Sequence, residues 1–268
     1  MPASEVQLPH RVAGQRWLLI GNSRWHWAEV EASGLKTWDE APAAGAATAR
    51  QRPPWAWAAV GAVAAEAGLE GAGRLDIREV PLGDLPPWLG IDRALGGWQA
   101  WQEQPGRPVL VADAGTVLSL TRVDGEGSFR GGRLLAGVAL QLRAMAAGTT
   151  ALPDLLSAQP ALGAEAAGLQ DPFPTATGAA MVAGVAHGLV AAIAAAAGEV
   201  GQAEGSCRLV LTGGDGPLLL PLLQSAISAP LSLYWRPALC LEGLARLRPA
   251  GGEAASRGPQ ARPRSLRI

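Results

Sequence analysis

Lysine is almost absent from this chain: Lys36 is the only one among 268 residues. A P-loop needs a Gly-Lys-Ser/Thr run and a protein kinase needs a strand lysine. Lys36 lies in Gly-Leu-Lys-Thr-Trp-Asp-Glu, which offers neither context, so both classes are excluded. Cysteine is nearly as scarce. Cys207 and Cys240 make no disulfide framework, and a reducing, cytoplasmic compartment is the expectation. The first 16 residues hold no apolar run, so no signal peptide is expected. His10, His26 and His187 lie far apart and outside any metal-ligand spacing. The net charge is −1, and no basic block interrupts the body of the chain. Nucleic acid is thereby excluded as a partner, because phosphate neutralisation needs clustered Lys and Arg. Only Ala254 to Ile268 is locally basic, and its Pro/Gly/Arg composition predicts disorder.

What is plentiful is small and apolar. Hydrophobic residues make up 49% of the chain, enough for a substantial core. Gly178 to Gly198 is almost wholly apolar, yet Ala and Gly dominate it and His187 interrupts it. It reads as a buried helix rather than a membrane span, which needs about 20 strongly apolar residues. No membrane partner is expected.

Trp17 to Val30 predicts strand, glycine turn, strand. Apolar residues run up to Gly21, and beyond it Trp25 and Trp27 alternate with Arg24 and His26. Val109 to Val123 repeats this pattern around Gly115, and Asp124-Gly125 marks a hairpin turn into residues 127–134. Aligning Gly21 with Gly115, 94 positions later, matches the apolar pattern on both sides. Between the two copies, residues 41–54 read as a linker. Residues 55–63 read as a buried strand followed by a short helix to Leu69, and residues 75–80 as another strand. Helices are predicted over 138–147, 177–197 and 218–226, Arg208 to Gly214 reads as a strand entering a glycine turn, and Glu242 to Leu247 closes the fold. A duplicated α/β architecture with a cleft between halves accounts for this order. An unrelated mixed α/β domain with glycine turns at its strand ends is the plain alternative.

Three glycine turns carry small polar residues: Gly21-Asn22-Ser23, Ala114-Gly115-Thr116 and Thr212-Gly213-Gly214. Glycine lets backbone amides approach a phosphate, and hydroxyl and amide groups add donors. With so little lysine, a nucleotide would have to be held by such groups, by arginine and by metal. Asp113 stands at a strand end before the second turn, placed either to meet a cation or to stabilise the turn. Gly90-Ile91-Asp92-Arg93 puts a carboxylate beside a guanidinium in one short loop. The pair can serve as base and anion holder, or simply as a surface salt bridge.

Taken in order, these segments resemble the type III pantothenate kinase family. Its Gly-Asn-Thr loop is matched by Gly21-Asn22-Ser23, its Gly-x-Asp-Arg loop by Gly90 to Arg93, and its Asp-Ala-Gly-Thr turn by Asp113 to Thr116. Gly131-Gly132 through Gly137, the Thr149 to Pro153 stretch, Thr177 to Gly184 and Leu239 to Leu244 match further family segments. The resemblance covers about residues 17–247. It implies an α/β, duplicated actin/sugar-kinase/Hsp70-like (ribonuclease H-like) fold with an interdomain cleft. It also implies ATP-dependent phosphorylation of pantothenate to 4′-phosphopantothenate, the first step toward coenzyme A. By resemblance, Asp92 is the general base, and Gly90, Ile91, Asp92, Arg93 and Thr177 bind pantothenate. Leu19, Ile20, Gly21, Asn22, Ser23, Arg24, Trp25, His26 and Thr116 form the site for ATP, which brings Mg2+. Asp113 binds a monovalent cation, K+ or NH4+, and the assembly is a homodimer.

The corresponding division is an N-terminal extension to residue 16, halves at 17–105 and 106–248, and a tail from 249. Leu19 occupies the position of the family's first Asp, and Pro86-Pro87-Trp88 stands where its tyrosine precedes the Gly-x-Asp-Arg loop. A non-catalytic nucleotide-binding descendant, or a kinase for another small hydroxyl substrate, are the alternatives these departures leave.

Overall fold

A computed structural model describes residues 13–63, 65–69, 73–158, 169 and 171–249. The predicted disordered tail lies outside the described residues, apart from its first. Two sheets carry the chain. In the first, β1 (Arg16–Ile20), β2 (Trp25–Glu31) and β3 (Gly34–Glu40) form an antiparallel meander, and β4 (Ala56–Ala59) pairs parallel to β1. In the second, β5 (Val109–Ala114), β6 (Val117–Val123) and β7 (Phe129–Ala136) repeat that meander. There β8 (Arg208–Thr212) takes the β4 position beside β5, and β9 (Ser232–Trp235) extends the sheet. The orders are β3-β2-β1-β4 and β7-β6-β5-β8-β9, so the predicted duplication is present in the topology.

Among the described residues, seven helices cover these sheets: α1 (Pro42–Gln51), α2 (Ile91–Gln102), α3 (Val138–Gly148), α4 (Leu155–Ala158), α5 (Thr177–Glu204), α6 (Gly216–Ala226) and α7 (Leu239–Leu247). Strand alternation sorts the core into layers. Leu18 and Ile20 face outward with Trp25, Trp27 and Ala49 of α1, whereas Trp17 and Leu19 face inward. Val109 and Val111 face inward too, while Leu110 and Ala112 pack beneath α3, α5 and α6. Helices α2 and α7 fill the space between the sheets. The inner core therefore unites both halves, and Trp17 Nε1 donates to the Arg248 carbonyl at 2.9 Å from the far end of the chain.

Helix α5 is long and apolar enough to cross a membrane by length and composition. Its Val182, Ala186, Leu189 and Ile193 are buried in the second-sheet core.

Several local expectations need correction. Residues 41–54 are not a linker but contain α1, whose helix opens on Pro42, a residue well suited to a first turn. Residues 75–80 form no strand: Asp76 caps a 3-10 turn over Ile77–Glu79 by accepting the Arg78 N–H while Glu79 reaches back. Residues 13–15 are not a detached extension, since Gly14 and Gln15 already exchange backbone hydrogen bonds with Val30. The short loop at Gly90 is the start of α2, which buries Ile91, Ala94, Leu95 and Trp98 along one face.

Candidate active site

Both glycine turns end at one cleft. β1 and β5 run in corresponding positions of their sheets and release the chain into Gly21–Arg24 and Gly115–Thr116. The Thr116 hydroxyl donates to Ser23 Oγ at 2.8 Å, joining the two turns. Beside them opens a cleft of ≈ 260 Å³ whose walls include Leu19, His26, Asp39, Asp113, Thr212 and Gly213. The third glycine turn thus lies where the sequence pattern placed it, at the end of β8. Gly213 adopts φ +93°, and a methyl group there would stand 2.5 Å from Asp113 Oδ1. Only glycine admits that approach.

Two carboxylates reach this region from different halves. Asp92 lies in the first turn of α2, where the helix dipole favours a negative charge. Its Oδ1 accepts the Arg93 backbone N–H at 2.8 Å. Gly90 leaves the room for this: a methyl group there would meet Asp92 Oδ1 at 2.5 Å. Burial raises the Asp92 carboxyl above the ordinary range, with the Arg93 N–H and guanidinium pulling the other way. Burial also pushes Asp113 from 3.8 up to about 6, helped by the nearby Asp92 charge. Among the described residues the Asp113 carboxylate meets no hydrogen-bond donor. Cys240 separates the two halves here, its Sγ 3.5 Å from the Asp92 carbonyl oxygen. Burial holds its thiol well above the usual value, with the Asp113 and Asp92 charges adding to this.

Such a site can do two things. A half-buried carboxylate with a raised pKa is suited to take a proton from a hydroxyl near neutral pH. A second carboxylate without protein donors is suited to a cation.

The remaining sequence candidates divide by where their side chains point. Asn22, Ser23, Arg24 and Thr116 are exposed at the turns. Leu19 lines the cleft but is 5% exposed and packed in the inner core, while Ile20 and Trp25 are buried on the opposite face. Ile20, Trp25 and likewise Ile91 have only backbone groups to offer a ligand. Arg93 makes no salt bridge with Asp92: its Nε donates to Thr121 Oγ1 at 3.1 Å and its guanidinium lies over Phe129. Thr177, the first residue of α5, is exposed and makes no hydrogen bond to the cleft among the described residues.

Asp39 and Cys240 are cleft residues that sequence reasoning missed, while Thr212 belongs to the third glycine turn it had marked. No local pattern marks Asp39, because polar and apolar residues do not alternate along 35–39. Among the described residues, no group of three or more His, Cys, Asp or Glu side chains gathers to hold a metal ion.

Two matching sheets, a helix pair between them and a glycine turn after the first strand of each sheet define the actin/sugar-kinase/Hsp70-like class. The solved ethanolamine utilization protein EutJ from Carboxydothermus hydrogenoformans shares this fold, with a TM-score of 0.52 at 12% identity over 89% of this chain and 91% of its own. Sequence likeness is more specific. The type III pantothenate kinase of Synechococcus elongatus is 33% identical over 256 residues, covering 87% of this chain and 96% of its own. That of Synechococcus sp. (strain JA-3-3Ab) is 35% identical over 246 residues, covering 87% and 93%. The family model for type III pantothenate kinase matches residues 82–198, from just before α2 into α5. The chain belongs to the type III pantothenate kinase family and is a kinase.

Proposed function

We propose that Asp92 is the general base of this enzyme's reaction, the ATP-dependent phosphorylation of pantothenate that leads to coenzyme A. The observation that carries this is the half-buried Asp92 carboxylate at a helix start, raised in pKa by desolvation and close enough to Asp113 to raise that group too. In this reading the acceptor hydroxyl of pantothenate lies against Asp92, which takes its proton as the oxygen bonds to the γ-phosphorus of ATP. The bond from that phosphorus to the β-γ bridging oxygen breaks, and ADP leaves. Phosphoryl transfer of this kind rests on positioning and charge neutralisation. The amides of Gly21 to Arg24, the hydroxyls of Ser23 and Thr116, and Mg2+ arriving with ATP supply these. Leu19 brings no carboxylate, so Mg2+ would depend little on this strand and would keep much of its water, which it retains readily.

Gly90, the Ile91 backbone, Arg93 and Thr177 hold pantothenate. Asp113 is the ligand of a monovalent cation, K+ or NH4+, whose charge would lie beside the phosphates. The donor-free carboxylate fits that ion. The assembly is a homodimer, and the exposure of Thr177 suits a site completed near a subunit interface.

A coupled ADP-release assay tests the whole reading. ADP release should require pantothenate and increase with potassium over sodium. Asp92→Asn should keep the fold and lower kcat by roughly 10²–10⁴-fold, the usual worth of a positioned base. Unchanged kcat in the folded variant would overturn the assignment.

A further inference from the structure

We infer that His26 and Asp39 work as a dyad on the nucleotide side of the cleft, His26 touching a phosphate oxygen of ATP and Asp39 holding the ring in place. The inference deepens the reading above and rests on ATP occupying this cleft. Strand register assembles the pair: Leu19 faces His26 across β1 and β2, and His26 faces Asp39 across β2 and β3. Pleating puts these three side chains in one row on the inner side of the first sheet. The neighbours Trp25 and Trp27 point the other way, into the outer core. Both members of the pair line the cleft that holds Asp113.

The hydrogen bond fixes the ring. His26 Nδ1 lies 2.6 Å from Asp39 Oδ1. An ionised carboxylate only accepts, so Nδ1 carries the proton. That hydrogen bond is also the leading reason the Asp39 carboxyl is held below its usual range, with burial opposing it. Nε2 is left without a hydrogen-bond partner among the described residues. It lies 3.3 Å from where a methyl group on Gly21 would stand, so the ring edge rests against the first phosphate turn.

Charged groups surround the ring from every element packed near it: Asp39 of β3, Arg24 of the first turn, Asp92 of α2 and Asp113 of β5. Three of these four are carboxylates, so the donors open to an anion on this side are the imidazole ring and Arg24. When a phosphate oxygen comes to Nε2, Asp39 allows the ring to carry a proton there and donate it in a charge-assisted hydrogen bond. Lysine, the common partner of phosphate, is missing from this turn, and the dyad puts an ionisable donor in its place. Asp39 is a positioning residue, because it reaches the phosphate only through His26.

Three variants test the dyad: His26→Ala, Asp39→Asn and Asp39→Glu. Each is measured by thermal melting, by kcat and KM for both substrates, and by calorimetric titration with a non-hydrolysable ATP analogue and Mg2+. His26→Ala should weaken analogue binding and raise the ATP KM by about tenfold or more, the worth of one charge-assisted hydrogen bond. Asp39→Asn should do the same to a smaller extent, and Asp39→Glu should recover part of the loss. The pantothenate KM should stay within about twofold. A strand-pairing role alone would lower the melting temperature and leave analogue affinity unchanged, which overturns the dyad. So does a wild-type protein that binds no analogue. Wild type that binds the analogue without phosphorylating pantothenate, and loses binding on His26→Ala, would sink the proposed reaction and leave the dyad standing.

Discussion

Asp113 is the residue whose ionisation most directly links the site to stability. It ends β5 on the inner face, where Val109 and Val111 precede it in the core, yet it is a carboxyl group. Its folded pKa is about 6 against 3.8 for the free side chain. Between those values the folded protein holds a proton that the unfolded chain has released. The Asp113 contribution to stability is therefore full below about pH 4, falls as pH rises toward 6, and stays at the lower level above. Asp113→Asn removes the penalty. The variant should melt higher than wild type at pH 8, by no more than about 3 kcal/mol, and the gap should close at pH 4. Potassium supplies the missing counter-charge if Asp113 is its ligand. Added potassium should then raise the wild-type melting temperature at pH 8 and leave that of the Asn variant unchanged. A wild type more stable than the variant at pH 8 without potassium would contradict this account.

Helix α2 carries Asp92 at one end and is anchored at the other. Glu103, just past its last turn, pairs with Arg208 of β8 and with Arg236, which also reaches Glu242 of α7. Arg208 is only 4% exposed and donates as well to the Ala100 carbonyl. Removing Glu103 would leave that guanidinium buried without its counter-charge, which costs more than an intact pair contributes. Glu103→Ala should therefore lower stability by about 3–5 kcal/mol, read from urea unfolding. A loss below about 1 kcal/mol would mean that water reaches Arg208 and relieves it. This helix also marks where the sequence was hard to read. Gly96 and Gly97 lie in its middle and argue against a helix in isolation, but they let it approach Cys240 and Val123 closely. Helix α1 was hidden in the same way by the Ala, Gly and Pro of 41–54. Strand β3 is partly exposed and mixes Leu35 and Trp38 with polar residues in no regular period, and β9 is four half-buried residues at a sheet edge, so neither shows a clear hydrophobic signature. The strands around Gly21 and Gly115 were legible because each faces two cores. For the site, the glycine turns show in local pattern, whereas the role proposed for Asp92 came from the family resemblance, since spacing alone left a surface salt bridge open. The His26–Asp39 contact depends on strand register, which no local pattern reveals.

Across the whole molecule the two sheets repeat one plan, but they differ at the inner end of their first strands. The 94-residue offset that aligns Gly21 with Gly115 also aligns Leu19 with Asp113. Topology supports this pairing, since β1 and β5 hold the same place in their sheets. One half thus offers the cleft a carboxylate and the other an isobutyl group, with the charge on that wall carried by Asp39, two strands away. Restoring symmetry with Leu19→Asp has two opposing effects. A new carboxylate would have His26 as its cross-strand neighbour and could ligate Mg2+ brought by ATP. It would also stand in the inner core, where Leu19 is 5% exposed, on a cleft that already holds Asp113. Burying an unpaired charge costs several kcal/mol, more than a half-solvated metal contact returns to the free protein. Leu19→Asp should therefore melt several degrees lower than wild type without ligand and recover part of that loss when ATP and Mg2+ are added together. Its apparent affinity for ATP with Mg2+ should match or exceed that of wild type. If the variant instead melts as wild type does, the inner end of β1 is wetter than its packing indicates. If kinase activity appears only in the variant, the natural protein is a non-catalytic member of its family.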